Sequence, residues 1–421
     1  MNPFELKPKK LESTIVPLNK LFLKPYDKHE VSPYTRVRLI LAQGTEFEAN
    51  LNSHRIARQT YNNDIRRRLA FVRRGEQLQH KMLASLKPKD ETLLETTLSY
   101  EQLAVDLTAI MAKRAKNYQV KQQLDFALLE DFDHLYRFSD LLEMDQGKHF
   151  EAYLGDYTEV MPGRPTVAEF RHPDDDIRFA TNSTKNDLMT NLDISIIIAA
   201  EQQTMNYYMN VGNFYPNDMG RKMFSEIALI EEQHVSGYES LKDPDMTNLM
   251  CNLMHEYTEC YVYYSLYNDE TDKEIKALYE RIFEQEVAHL HEASELLLKY
   301  EGKSWCEVIE NGTFPELIKF GENKRYIRNV LKDCNLTAQK EGYLDVNDLN
   351  QNANYFKYQK MFVASGENNP SHKVIEKYIK SNGQDLRYEV APHPVTELRN
   401  RKTDNLSVGR GKAYTKNTKL A

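Results

Sequence analysis

Three carboxylate and histidine pairs constrain the fold of this chain more than any other feature. In each pair the carboxylate stands three residues before the histidine, and a glutamate lies 30 residues before that carboxylate. Residues at positions i and i+3 project from the same side of a helix, so each pair offers one oxygen and one nitrogen to a metal ion. The three sets are Glu101 with Asp131 and His134, Glu201 with Glu231 and His234, and Glu256 with Glu286 and His289. Two such pairs that face each other predict a di-metal site in a four-helix bundle.

Helix-breaking residues fall between the ligand positions of the second half. Pro216 lies in a segment of glycine, proline and asparagine that would end a helix. Asp243 and Pro244 offer an N-cap followed by a proline at the first helical position. Thr271 begins a Thr-Asp-Lys-Glu capping box. We therefore predict helices over 186–211, 218–241, 245–267 and 272–300.

The first half of the chain repeats the second. Residues 61–68 match residues 215–222 at an offset of 154, and the segment after His134 matches the segment after His289 at an offset of 155. Two matched segments in the same order indicate a duplication. We therefore predict a first bundle with helices over 34–60, 63–86, 90–115 and 120–144.

The metal site of this first bundle is expected to be weakened. At an offset of 154, Gln77 stands opposite Glu231 and His80 opposite His234. A neutral amide binds a hard metal ion less strongly than a carboxylate does. The same offset leaves two alternatives, Glu46 and Glu48, on the first helix. The predicted members of the weakened site are Glu46, Gln77, His80, Glu101, Asp131 and His134.

The predicted fold class is all-α, with two tandem four-helix bundles and an irregular C-terminal extension. The predicted domains are a first bundle, a linker rich in proline and charge, a second bundle, and the extension; they span 30–145, 146–185, 186–301 and 302–421. A short helix is expected over 372–379. Residues 399–421 carry seven Lys or Arg against one acid and are expected to form a solvated flexible tail.

Composition excludes several classes of function. A net charge of -8 argues against a general nucleic-acid binder. No stretch is long and apolar enough to cross a membrane, and the first residues lack the apolar run of a signal peptide, so a cytoplasmic protein is expected. The four cysteines form no C-x-x-C pair, which argues against a rubredoxin-type iron centre or a zinc ribbon.

Residues 186–301 resemble the ferritin-like di-iron carboxylate proteins, and most nearly the rubrerythrins. The resemblance rests on Glu201, Glu231-Glu-Gln-His234, Glu256-Tyr-Thr-Glu259 and Glu286-Val-Ala-His289. It implies two iron or manganese ions in the second bundle, with a further metal left open in the first. The implied ligands are Glu201, Glu231, His234, Glu256, Glu259, Glu286 and His289. The chain departs from the family because a rubredoxin module is missing and a second, degraded bundle is fused in front.

The resemblance implies a redox site that reduces hydrogen peroxide or oxygen, or that oxidises Fe(II), with electrons from a separate donor protein. A second hypothesis is a non-catalytic metal-storing or scaffold protein. A third is a di-iron oxygenase, which would require an apolar pocket for an organic substrate beside the metals. No nucleic-acid or membrane partner is expected, and homo-oligomerisation is left open.

Aromatic and sulfur-containing residues near the ligand positions have two interpretations. Tyr207, Tyr208, Tyr261, Tyr263 and Tyr264 could hydrogen-bond to ligands or supply electrons, although aromatic residues at helical spacing more often belong to the core. Cys260 adjoins Glu259, and a buried inert thiol is the favoured interpretation.

Overall fold

The fold is taken from a computed structural model, which describes residues 1–149, 154, 158, 170–333, 336–363 and 369–383. This part of the chain is mostly helical, which confirms the predicted all-α class. Its long helices have 22 to 29 residues each. They are α1 (Pro33–Arg58), α2 (Asn63–Ser85), α3 (Leu93–Arg114), α4 (Tyr118–Gln146), α5 (Leu188–Val211), α6 (Asp218–Glu239), α7 (Asn248–Asp269) and α8 (Lys273–Glu301).

Polar caps set where most of these helices begin. The Asn62, Thr92 and Asn217 side chains each accept a backbone N–H from the first turn of the helix that follows. Two predicted starts are wrong. The cap of α7 is Thr247, whose hydroxyl accepts the Met250 N–H, and the cap of α8 is Asp272.

The predicted cap residue Asp243 has a different role. One of its carboxylate oxygens accepts both the backbone N–H and the hydroxyl of Ser183, at 2.7 and 2.6 Å. The other accepts the Asp245 N–H at 2.9 Å. Asp243 therefore joins two loops, and the three residues after Pro244 remain outside the helix.

The C-terminal extension is more ordered than predicted. It contains α9 (Lys324–Val330), an antiparallel hairpin of β1 (Leu336–Gln339) and β2 (Gly342–Asp345), α10 (Asn354–Tyr358) and α11 (Pro370–Asn382). The helix predicted over 372–379 is confirmed and is longer at both ends. Residues 150–153, 155–157 and 159–169 of the predicted linker and the whole basic tail lie outside the described residues.

The helices assemble into two compact units that do not follow the predicted domains. The first unit comprises Met1–Glu91, Ala180–Gln203 and Lys242–Phe320, and contains α1, α2, α7, α8 and most of α5. The second comprises Thr92–Phe179, Thr204–Leu241 and the described part of Gly321–Ala421, and contains α3, α4, α6 and the end of α5. Each unit therefore combines helices from both halves of the chain.

This assembly corrects the prediction of contiguous bundles over 30–145 and 186–301. In the first unit α1 packs against α2 and α7, and α7 packs against α8. In the second unit α3 packs against α4, while α11 packs against α4 and α6. Packing depends on the burial of apolar faces and not on order in the sequence, so helices from both halves of the chain can share one core. Among the described helices none is long and apolar enough to cross a membrane.

Candidate metal centres

A single offset of 155 residues relates the ligand positions of the two halves. It matches Glu46 with Glu201, Glu76 with Glu231, and Gln79 with His234. The offset of 154 assumed for α2 is therefore wrong by one residue, which rotates a side chain by about 100° around a helix. Gln77 is accordingly exposed, and His80 is half-buried beside Lys81.

Six buried side chains of the first unit form what we call site I. One group of ligand atoms belongs to Glu76, Glu256, Glu286 and His289, and a second group to Glu46, Glu76 and Glu259; within each group the atoms lie within 4.8 Å of one another. His289 Nδ1 is 2.7 Å from Glu76 and 3.1 Å from Glu286. The helices α1, α2, α7 and α8 each contribute to this site.

Site I concentrates negative charge away from water. Burial, followed by the neighbouring carboxylates, raises the pKa of Glu46, Glu256 and Glu259 well above the usual value. Burial opposes a charge on His289, but Glu286 and Glu76 nevertheless raise the pKa of this imidazole. A bound divalent cation would compensate this charge, as carboxylates in such clusters commonly require.

The hydrogen bonds within site I leave several carboxylate oxygens without a donor, including both oxygens of Glu259. Tyr263 donates a hydrogen bond to Glu46, and Gln79 donates one to Glu286. Glu259 is 0% exposed, and neither of its oxygens has a hydrogen bond with any residue that the structure describes. His255 Nε2 lies 3.4 Å from one of its oxygens. Buried oxygens of this kind fit a cation site.

Five buried side chains of the second unit form what we call site II. They are Glu101, Asp131, His134, Glu231 and His234. The Glu231 carboxylate lies between the two imidazoles, with Oε1 3.0 Å from His134 Nδ1 and Oε2 3.2 Å from His234 Nδ1. His234 Nδ1 is also 3.3 Å from Asp131. Although burial opposes it, these histidines hold the pKa of Glu231 well below its usual value.

A series of buried ionic contacts extends from the Nε2 atom of His234. This nitrogen lies 2.8 Å from Glu130, Glu130 is 2.6 Å from Arg171, and Arg171 is 2.8 Å from Asp176. Although burial opposes it, Arg171 lowers the pKa of Glu130, which keeps that carboxylate ionised. An ionised acceptor at Nε2 favours the tautomer that carries its proton on Nε2 and its lone pair on Nδ1, the atom that faces Glu231.

Two tyrosines reach the candidate ligands. Tyr208 donates a 2.5 Å hydrogen bond to Glu101 in site II, as Tyr263 does to Glu46 in site I. Tyr261 instead donates to the Glu316 carbonyl, and Tyr264 packs against aromatic rings. Cys260 is buried, and burial raises the pKa of its thiol.

The structure divides both predicted ligand sets. From the predicted intact site, Glu256, Glu259, Glu286 and His289 join site I, whereas Glu231 and His234 belong to site II. Glu201 is buried on the part of α5 that belongs to the first unit. From the predicted weakened site, Glu46 joins site I, and Glu101, Asp131 and His134 join site II. Gln77 and His80 belong to neither of these groups.

Sequence reasoning missed Glu76, Gln79 and Glu130. The constant offset of 155 residues would have found the first two, because it places them opposite Glu231 and His234. No sequence pattern singles out Glu130 as a functional residue, since an acidic residue beside Asp131 is common on a charged helix.

Comparison with known proteins adds no assignment: the chain matches no protein-family model, and neither a curated protein nor a solved structure is significantly similar to it.

Proposed function

We propose that site II binds two iron ions, or two manganese ions in their place, and that it reduces hydrogen peroxide or oxygen. The observation that carries the proposal is the position of Glu231 between two histidines. Each of these histidines follows a carboxylate by three residues and presents Nδ1 to Glu231. Carboxylate oxygens and imidazole nitrogens together are the ligand set of di-iron and di-manganese bundles.

The arrangement supports a ferritin-like bundle in which the helix pairs of the two halves are exchanged. Within the second unit, α3, α4 and α6 supply Glu101, Asp131 with His134, and Glu231 with His234. A glutamate from one helix and a carboxylate-x-x-His pair from each of two others are the parts that such bundles use. The repeat assigns Glu201, on α5, the sequence position of Glu46.

The side chains of site II are arranged to hold metals and protons. Glu130 orients His234, and the Tyr208 hydroxyl keeps a proton within hydrogen-bonding distance of Glu101. Two Fe(II) ions held there would supply the two electrons that, with two protons, convert hydrogen peroxide into two water molecules. The site is buried, so bulk water is excluded from it. Reduction for the next cycle requires a separate donor protein.

Peroxide reactivity tests the proposal. The protein is loaded with Fe(II) without oxygen, mixed with hydrogen peroxide, and followed by absorbance in a stopped-flow instrument. We expect rapid oxidation in the wild type and loss of iron from site II in Glu231→Gln, because the shared carboxylate is neutralised. Glu232→Gln, an exposed neighbour on α6, is the matched control and should behave as the wild type.

Two results would count against this function. Full iron occupancy and unchanged oxidation in Glu231→Gln would remove site II from the reaction. Iron that binds with normal stoichiometry but reacts slowly with both peroxide and oxygen would favour the metal-storing or scaffold alternative. Rapid reaction with oxygen and repeated Fe(II) turnover would instead identify a ferroxidase.

A further inference from the structure

Site I differs from site II in the type of donor group at two equivalent positions. Gln79 on α2 stands where site II has His234, so an imidazole nitrogen is lost. Glu259 on α7 stands where the second unit has the buried Ala104, so a carboxylate is gained. The two changes replace a nitrogen ligand by an oxygen ligand within one cluster of side chains.

The geometry of site I separates its ligands into two unlike groups. Glu76 belongs to both groups and is therefore placed to be shared. The group with Glu256 and Glu286 includes the His289 nitrogen, whereas the group of Glu46, Glu76 and Glu259 offers oxygens alone. All six side chains are at most 4% exposed, so bulk water does not reach them. The two groups therefore keep their different donor atoms.

Glu259 provides independent support for a cation in the all-oxygen group. It is fully buried, lies within 4.8 Å of the ligand atoms of Glu46 and Glu76, and has no hydrogen-bond donor among the described residues. A carboxylate in such a place is costly unless a cation compensates it.

We propose that site I is a second metal centre, chemically distinct from site II, in which Glu46, Glu76 and Glu259 hold a hard divalent cation such as Mn²⁺. Oxygen ligands suit Mn²⁺, while imidazole increases the advantage of later ions such as Zn²⁺. The group that includes His289 is correspondingly the better position for an ion that accepts nitrogen. This inference is independent of peroxide reduction at site II.

Mn²⁺ binding tests the proposal in the full-length protein. The chain is stripped of metal and titrated with Mn²⁺ alone in a Glu231→Gln background, which disables site II, while free Mn²⁺ is measured by its EPR signal. We expect Glu259→Gln, a substitution of nearly equal shape, to remove one bound Mn²⁺ or to weaken it by roughly tenfold or more. Glu280→Gln, on the exposed face of α8, makes the same chemical change and should leave the titration unaltered.

A second variant tests the donor set, and it gives a result even if Glu259→Gln does not fold. Gln79→His restores the nitrogen that site II has at this position. We expect it to raise the affinity for Zn²⁺ relative to Mn²⁺ by roughly tenfold, because imidazole favours the later metal. The proposal is overturned by an unchanged Mn²⁺ titration in folded Glu259→Gln, or by an unchanged Zn²⁺ to Mn²⁺ ratio in Gln79→His. Neither readout involves peroxide, so this inference and the proposed function can fail separately.

Discussion

The contact between Glu130 and His234 determines how one imidazole is presented to site II. His234 Nε2 lies 2.8 Å from Glu130, while Nδ1 faces Glu231 and Asp131. Arg171 on the far side of Glu130 keeps the carboxylate charged in a buried environment. The equivalent residue in site I is Gln285, which instead donates a hydrogen bond to the Thr14 carbonyl. Two positions related by the repeat thus differ in the group that supports the candidate ligand.

Neutralising Glu130 should weaken metal binding at site II without removing a ligand. We expect Glu130→Gln to lower the affinity for Zn²⁺ by about tenfold, because His234 loses its charged orienting partner. Isothermal titration in a Glu76→Gln background, which disables site I, measures this change. The Glu232→Gln control should bind as the parent does. An affinity equal to the control would show that Glu130 serves only as a structural partner of Arg171.

Local capping chemistry determines where the helices begin. In α3 the Thr92 hydroxyl accepts the Glu95 N–H at 3.3 Å, and the Glu95 carboxylate accepts the Thr92 N–H at 2.7 Å. Thr247 occupies the equivalent position before α7, but the residue three positions later is Met250, which cannot return the second bond. A cap and the N–H groups that it accepts lie within three residues of each other, so helix starts can be predicted to within a few residues.

The β1–β2 hairpin was missed because its turn, Lys340-Glu341, contains none of the residues that are typical of tight turns.

Removing the Thr92 hydroxyl should destabilise the start of α3. We expect Thr92→Ala to lower the free energy of unfolding by about 1 kcal/mol, because the Glu95 N–H loses its acceptor. Thermal unfolding together with amide hydrogen exchange in the first turn of α3 measures the effect. Thr92→Ser keeps an acceptor at this position and should stay within a few tenths of a kcal/mol of wild type. Equal exchange rates in the Ala and Ser variants would contradict the role of the cap.

At the scale of the whole molecule, each compact unit combines helices from both halves of the chain. α1 and α2 share a unit with α7 and α8, so site I draws its ligands from both halves of the chain. The ligand types were recognised from spacing, but the assignment of each pair to a site was wrong. The spacing of the ligand positions is the same in both halves, so the sequence pattern does not show whether a helix packs within its own half or against the other half.

A fragment of residues 186–301 tests the exchange. It contains α5 to α8 but lacks α1 to α4, which complete the two units. We expect it not to form a folded monomer, and to gain helical structure only by pairing with a second copy. Light scattering after size exclusion and circular dichroism measure this, with the full-length chain as reference. A helical monomer that binds metal through Glu231 and Glu286 together would support the contiguous bundle instead.

The long helices and the residue types of the candidate metal ligands are predictable from the sequence, because helix periodicity and i, i+3 spacing act between near neighbours. The caps of α7 and α8 are not, since Thr247 and Asp272 stand where Asp243 and Thr271 are predicted. The sequence also contained the uniform repeat of 155 residues that relates Glu76 to Glu231. Only the tertiary structure decided which helix pairs meet, and hence that Glu259 faces Glu46 while Glu231 lies between His134 and His234. Local spacing depends on near neighbours, whereas the choice of packing partner depends on burial between residues that are far apart in the sequence.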